Sequence, residues 1–417
     1  MLFSVICMLF GIFSILVIVK PQYIFKYLMI TYALDTIVQA YSLNSTVVAI
    51  GGITIYLADL PVLVMVLLFF MRGKIFKSRV SAAVFWVFFM VVYSAVIGFI
   101  QYGINIYYLS DIRVFISMII PLIYFYNCPH IITDSDVSFA NRIIAIMVGY
   151  CYLCWGLYIT TGIKLSSSNA SGGFRIWGST GAIIIAFATL LYIYDDVVRK
   201  KRKLISLRTA LYILAIVILQ HNSVWAALAI GIVVLLINAG LNRKEILSFL
   251  GQIVLIFGLF LLVTTVIPQN PIIQAVLSTS EKYSEMGTGE GTIGGRQIIW
   301  EGYLQQLTTS EWWTGKPMGN GWLVNFKGVY GINPPHNVYI QSLMRIGIIG
   351  TLPLIGLLII VSIKNFIEKK SVCASIMIAS LVYLYAYMFS LEMSCVWGCI
   401  IGLTYGSIFY ERSVGDD

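Results

Sequence analysis

Hydrophobic positions along this chain fall in long, nearly unbroken runs. They lack both the alternation of half-buried strands and the one-sided spacing of soluble helices. The runs cover residues 2–19, 24–42, 57–71, 80–101, 112–126, 143–161 and 180–194, then 207–220, 224–241, 246–267, 338–363, 374–392 and 396–410. Their lengths lie near the roughly 20 residues a helix needs to cross about 30 Å of hydrocarbon. The pattern predicts an all-α integral membrane protein of twelve or thirteen transmembrane helices, the count turning on residues 24–56, which Lys26, Asp35 and Gly51–Gly52 interrupt. An outer-membrane barrel would need short dyad-patterned strands instead. The first run has no basic residues before it and no small-residue cleavage site after it, so it reads as a retained helix.

Polar segments divide the chain into N-terminal transmembrane helices (1–267), one large loop (268–337) and C-terminal transmembrane helices (338–417). With 59% hydrophobic and 11% charged residues and a mean hydropathy of +0.90, a water-soluble globule is excluded. The net charge of +9 gathers in four blocks. These are Arg72, Lys74, Lys77 and Arg79; Arg199 to Lys203 with Arg208; Arg243 and Lys244; and Lys364, Lys369 and Lys370. Alternating spans put all four on one side, which the positive-inside rule makes cytoplasmic. The charge is topogenic, and no nucleic-acid partner is expected. The opposite side receives a loop at 162–179, a turn at 221–223 and the long loop at 268–336, whose length marks it as a lid, a binding surface or part of a site. The seven cysteines lie in or beside apolar runs, so no disulfide framework is expected; Cys151 and Cys154 read as helix packing.

Candidate chemistry concentrates on that opposite side. Residues 294–307, GGRQIIWEGYLQQL, place Ile299, Tyr303, Gln306 and Leu307 on one helical face with Trp300 and Leu304 beside it. This is an amphipathic helix that lies on the membrane or lids the bundle. Arg296 falls in its first turn, where a cation is disfavoured, so it reads either as a phosphate clamp or as an interfacial arginine with an anionic partner. PPHNVYIQ, at 334–341, ends the loop and opens a span. There Asn337 approaches a helix start suited to an anion, and His336 can exchange a proton near neutral pH or simply cap the helix. Arg175 lies among Gly172, Gly173 and Gly178, which let backbone approach a ligand. Arg345 falls about two turns inside a span, where a charge is expected to face a cavity or a partner. The string GEGTIG at 289–294 matches a dinucleotide fingerprint but follows no strand, so it reads as loop. No Asp-x-Asp or His/Asp/Glu group has metal-ligand spacing in these loops, so no metal site is expected.

Three phrases on this architecture, G-R-x-x-x-W (Gly295, Arg296, Trp300), H-N-x-Y (His336, Asn337, Tyr339) and F-R-x-x-G (Phe174, Arg175, Gly178), resemble the O-antigen polymerase and O-antigen ligase superfamily. Its members are bacterial inner-membrane glycosyltransferases of the GT-C type. The resemblance implies a GT-C-like bundle with a large periplasmic loop and an active site facing the periplasm. It implies metal-independent, cofactor-free inverting transfer from an undecaprenyl-pyrophosphate-linked glycan donor to a glycan acceptor, with the bilayer and a chain-length regulator protein as further partners. The family's loop arginines and histidine correspond to Arg175, Arg296 and His336. Asn337, Tyr339, Trp300, Arg345, His221, Glu290 and Glu301 are the implied substrate-binding set. His336 is the expected base, with Glu290 and Glu301 as competitors. This chain departs from many relatives at the hairpin tip, where QHNSVW puts His221 and Asn222 in place of an arginine. Its 26 Tyr and 23 Phe favour the polymerase over the ligase; a lipid-linked glycan transporter or flippase is the alternative from another class.

Overall fold

The computed structural model describes residues 2–40, 46–50, 53–72, 82–127, 133–163, 165, 169–170, 173–174, 176–202, 204–265, 291–326, 328–332, 334–385 and 391–405. Each of the thirteen apolar runs carries a helix. In the first half these are α1 (Leu2–Val19), α2 (Ile24–Ala40), α3 (Asp59–Arg72), α4 (Ala82–Tyr102), α5 (Ile106–Asn127), α6 (Asp134–Thr161) and α7 (Ser179–Tyr194). In the second they are α8 (Leu207–Ile218), α9 (Asn222–Asn238) and α10 (Arg243–Thr265), then α13 (Val338–Ile367), α14 (Ser371–Tyr385) and α15 (Leu391–Tyr405). The long loop contributes α11 (Gly291–Gln305), α12 (Thr309–Thr314) and the hairpin β5–β6 (Leu323–Phe326, Val329–Ile332). Earlier two-stranded pairs are β1–β2 (Thr46–Ile50, Ile53–Tyr56) and β3–β4 (Asn169–Ala170, Gly173–Phe174). Among the described residues, six helices are long and apolar enough to cross a membrane: Ala82–Tyr102, Ile106–Asn127, Ser135–Thr161, Ser179–Arg199, Arg243–Leu262 and Val338–Ile367. An exposed apolar belt, including Phe70, Phe85, Ile100, Val254, Leu262 and Ile360, is untenable in water and is what hydrocarbon solvates. The chain is an all-α membrane protein.

Local signals set the helix ends. α6 begins earlier than its apolar run because Thr133 and Asp136 form a capping box, with the Asp136 carboxylate 2.8 Å from the Thr133 N–H. It ends at Gly162, whose φ of 71° closes the last turn. α7 is buried on nearly every face and forms the centre. Packing elsewhere depends on small residues. On α15, Gly398 and Gly402 form a G-x-x-x-G against α5, and an added Cβ on Gly398 would strike the Met118 carbonyl.

Three of the four basic blocks share one end. Asn238, just before Arg243, donates to the Phe366 carbonyl at 2.7 Å beside Lys364. Ile205, inside the 199–208 block, donates to Gln252 of α10 at 2.9 Å. The fourth block lies outside the described residues beyond Arg72. The long loop's described part occupies the opposite end, and its segment from Gly315 to Gly321 is wedged into the bundle. Met318 is fully buried, its N–H reaches the Ser94 carbonyl of α4 at 3.4 Å, and a Cβ at Gly98 would overlap the Met318 backbone. The Gly319 N–H donates to Asp111 of α5 at 3.1 Å, and Asn105 donates to the Gly319 carbonyl at 3.2 Å.

α13 is two rods. At Gly347, φ 60° and ψ −173° break the helix, a conformation open essentially to glycine alone. The backbone of Trp313 fills the space where a side chain would stand. The break frees carbonyls, and the Lys316 N–H takes that of Met344 at 2.7 Å. Further on, Pro353 cannot donate to the Ile349 carbonyl; the Trp86 indole N–H of α4 does so at 3.0 Å. Arg345 therefore lies in the short first rod, just before the break, rather than inside a continuous span.

Candidate functional site

The site is built where α11 meets the start of α13. α11 buries one face: Tyr303, with Leu307 just past the helix end, packs against Val324 and Met344, and Ile299 and Leu304 pack beside them. It lids the bundle by docking on β5 and α13. The helix begins at Gly291, so Arg296 stands in the second turn rather than the first. Trp300, one turn on, donates its indole N–H to the Pro335 carbonyl at 2.5 Å, and its ring meets Tyr385 edge-on at 5.6 Å. This clasp brings the Arg296 turn against the Pro335–His336 corner.

His336 has a φ of +49°, unusual for a residue with a side chain, between Pro335 and the helix cap. Asn337 is that cap: its Oδ1 accepts from Tyr339 N at 2.9 Å and Ile340 N at 3.1 Å. Those two donors are satisfied internally, so they are not the anion site that the sequence suggested for this helix start. Tyr339 donates its hydroxyl to the Leu381 carbonyl at 2.8 Å, tying the same turn to α14. Asn337 and Tyr339 thus hold His336 in place. Burial depresses the imidazole pKa below its ordinary 6.5, and the Arg296 charge depresses it further. At neutral pH His336 is an uncharged ring able to accept a proton beside a permanent cation.

Other sequence candidates are placed differently. Glu301 is exposed and lies about 140° around α11 from Arg296, five residues at roughly 100° each. His221, the residue before α9, is buried and lies 2.9 Å by Nε2 from the Trp177 carbonyl. A carbonyl only accepts, so Nε2 carries the hydrogen. This bond ties the α9 start to the segment following Arg175, and Trp177 in turn stacks on Tyr150 of α6 at 5.8 Å. Arg175 and Glu290 themselves lie outside the described residues.

Arg345 has its expected partner within the fold. Its Nε is 2.9 Å from Asp111 Oδ2, the two side chains being 1% and 3% exposed. Nη2 donates to the Gly321 carbonyl at 2.8 Å, and the guanidinium lies over the Trp322 ring at 4.0 Å. Its role here is to fasten the wedge to α5 and to position the first rod of α13. Sequence reading missed Asp111 and the glycine-rich wedge GKPMGNG. The available signal was a carboxylate at the edge of an apolar run, which needed a partner as much as Arg345 did.

Among the described residues no group of three His, Cys, Asp or Glu side chains is placed to hold a metal. No family model matches the chain, and no curated protein matches it.

Proposed function

We propose that this protein is a bacterial inner-membrane glycosyltransferase of twelve or thirteen spans, an O-antigen polymerase that joins undecaprenyl-pyrophosphate-linked repeat units at the periplasmic face. One observation carries the reading: Arg296 and His336, from separate loop motifs, meet at one corner, and burial with the Arg296 charge keeps His336 neutral. Such a corner suits transfer from a sugar pyrophosphate. The donor is already activated, so the enzyme must orient an acceptor hydroxyl and stabilise the departing anion. His336 takes the hydroxyl proton as the oxygen attacks the anomeric carbon. The bond to the pyrophosphate oxygen breaks with inversion, and Arg296, with Arg175, holds the anion that leaves. The ligase uses the same chemistry with lipid A-core as acceptor. A charge inside a span, such as Arg345, would suit a transporter pathway, but Arg345 is committed to Asp111 and Gly321.

The test is turnover of synthetic undecaprenyl-pyrophosphate repeat units by purified protein. His336→Ala should lower the rate about a hundredfold or more, as loss of a general base does, while donor binding survives. Arg296→Lys should be nearly as damaging as Arg296→Ala if the guanidinium grips the anion with two hydrogen bonds. Full turnover by both His336→Ala and Arg296→Ala overturns the reading. In cells, deletion should leave lipopolysaccharide with a single repeat unit; bare core would assign the ligase instead.

A further inference from the structure

The basic block between α7 and α8 is a folded surface and not merely a run of cations. At the end of α7 one turn widens to π geometry over Asp195–Arg199, and the chain folds back on it: the Lys200 N–H donates to the Asp195 carbonyl and the Arg202 N–H to the Asp196 carbonyl, each at 2.9 Å. Asp196 is 1% exposed and holds the start of α8, accepting from the Ser206 N–H at 3.1 Å and the Thr209 hydroxyl at 2.7 Å. Asp195 lies within 3.5 Å of three cations, Arg199, Lys200 and Arg208, and the Arg208 guanidinium also lies over the Tyr192 ring at 3.8 Å. One carboxylate cannot neutralise three cations, so a fixed, half-exposed cluster keeps a net positive charge. Setting the direction of insertion needs the charges alone and not this order.

Apolar side chains are set among these cations. Leu204 and Leu207 are 72% and 76% exposed. On α8, Leu211 follows Leu207 at roughly 40° around the helix, and Arg208 stands roughly 60° from Leu211. α10 is joined to the loop where the Ile205 N–H donates to Gln252, and its first turns add Arg243, Lys244 and Leu247, all exposed. Arg208, Arg243 and Lys244 each occupy the first turn of a helix, where the backbone dipole disfavours a cation unless an anion is near. Such a surface fits an anion that carries hydrocarbon. A soluble polyanion would meet the cations and leave the leucines in water, and a zwitterionic lipid would bring its own cation to the arginines; an anionic phospholipid satisfies both groups. Among the described residues of α10, Phe249 alone is buried, so the helix has little protein contact to fix it. We infer that the α7–α8 loop and the first turns of α10 form a binding surface for anionic phospholipid at the basic end, and that the bound lipid fastens α10 to the bundle.

The test uses the full-length protein in a neutral detergent, with phosphatidylglycerol or phosphatidylcholine of the same acyl chains added, read by native mass spectrometry for bound lipid and by hydrogen exchange across α10. Phosphatidylglycerol should be retained and should slow exchange over Arg243–Gln252; phosphatidylcholine should do neither. Arg208→Gln should weaken retention about fivefold, the scale of one cation at an anionic surface. Leu204→Ser with Leu207→Ser should weaken it about tenfold, and this pair removes no charge, so insertion keeps its direction. A wild-type thermal transition with phosphatidylcholine shows that each variant is folded. Equal retention of the two lipids, wild-type retention by either variant, or bound phosphatidylglycerol with no change in α10 exchange overturns the inference. Slowing by glycerol phosphate to the same extent would also overturn it, since a free phosphate would then suffice without the acyl chains.

Discussion

His336 is useful as a base only when its ring is uncharged, and two effects keep it so: burial first, the Arg296 charge second. The folded pKa lies below 6.5, so activity should persist down to a pH below that value and fall as pH drops through it. Replacing Arg296 by Gln removes one depressing effect, and the acid limb of kcat/KM should shift upward in whatever residual activity remains. A limb that stays put or moves down would show that Arg296 does not act on His336. The same shift sets a stability trend. The unfolded chain binds this proton more readily than the folded one, so the fold should lose stability as pH falls below about 6.5. The Arg345–Asp111 pair makes a different prediction. Removing one partner strands a buried charge, so Asp111→Ala should cost about 3–5 kcal/mol, whereas a size-matched apolar pair, Asp111→Leu with Arg345→Met, should be close to neutral. Thermal melting of the three proteins decides it. The sequence flagged Arg345 as a charge in need of a partner but did not reveal which, because Asp111, at the edge of another apolar run and two residues from Arg113, carries no mark of contact with it.

At the scale of elements, thirteen apolar runs became thirteen helices, because a run that must satisfy its backbone away from water has little other choice. The ends were less legible. α5 starts at Ile106 and α6 at Asp134, each earlier than its apolar run, since helices extend into polar sequence wherever a cap allows. The α5–α15 contact was legible in principle: Gly398 and Gly402 are four apart, and both meet α5 backbone. Gly398→Leu should abolish folded protein or lower its melting temperature sharply, while Gly356→Leu on α13, where nothing lies within 4 Å of the added Cβ, should be tolerated. Detergent-solubilised yield and melting temperature compare the two, and equal behaviour would refute the close-packing account. The wedge at 315–321 could not be foreseen, because its glycines are explained only by what approaches them: the Arg345–Gly347 backbone at Gly315, and Tyr102 and Asn105 at Gly319.

The whole molecule has a basic end and a loop end, and the proposed function requires that these face cytoplasm and periplasm respectively. A cysteine at position 201 should be shielded from a membrane-impermeant reagent in intact spheroplasts, and one at 290 or 301 labelled; the reverse pattern would remove the site from the periplasm. The sequence disclosed this polarity through its lysines and arginines, but it did not disclose that α13 is two rods. The first, from Val338 to the break at Gly347, is gripped at both ends: by the Asn337 cap and Tyr339 at one, and by Asp111, Gly321 and the Trp313 backbone at the other. It behaves as a strut about 14 Å long at 1.5 Å per residue, whose far bearing rests on α5. The height of His336 above the bundle is therefore referenced to α5, through Arg345 and Asp111, so a displacement of α5 registers at the imidazole.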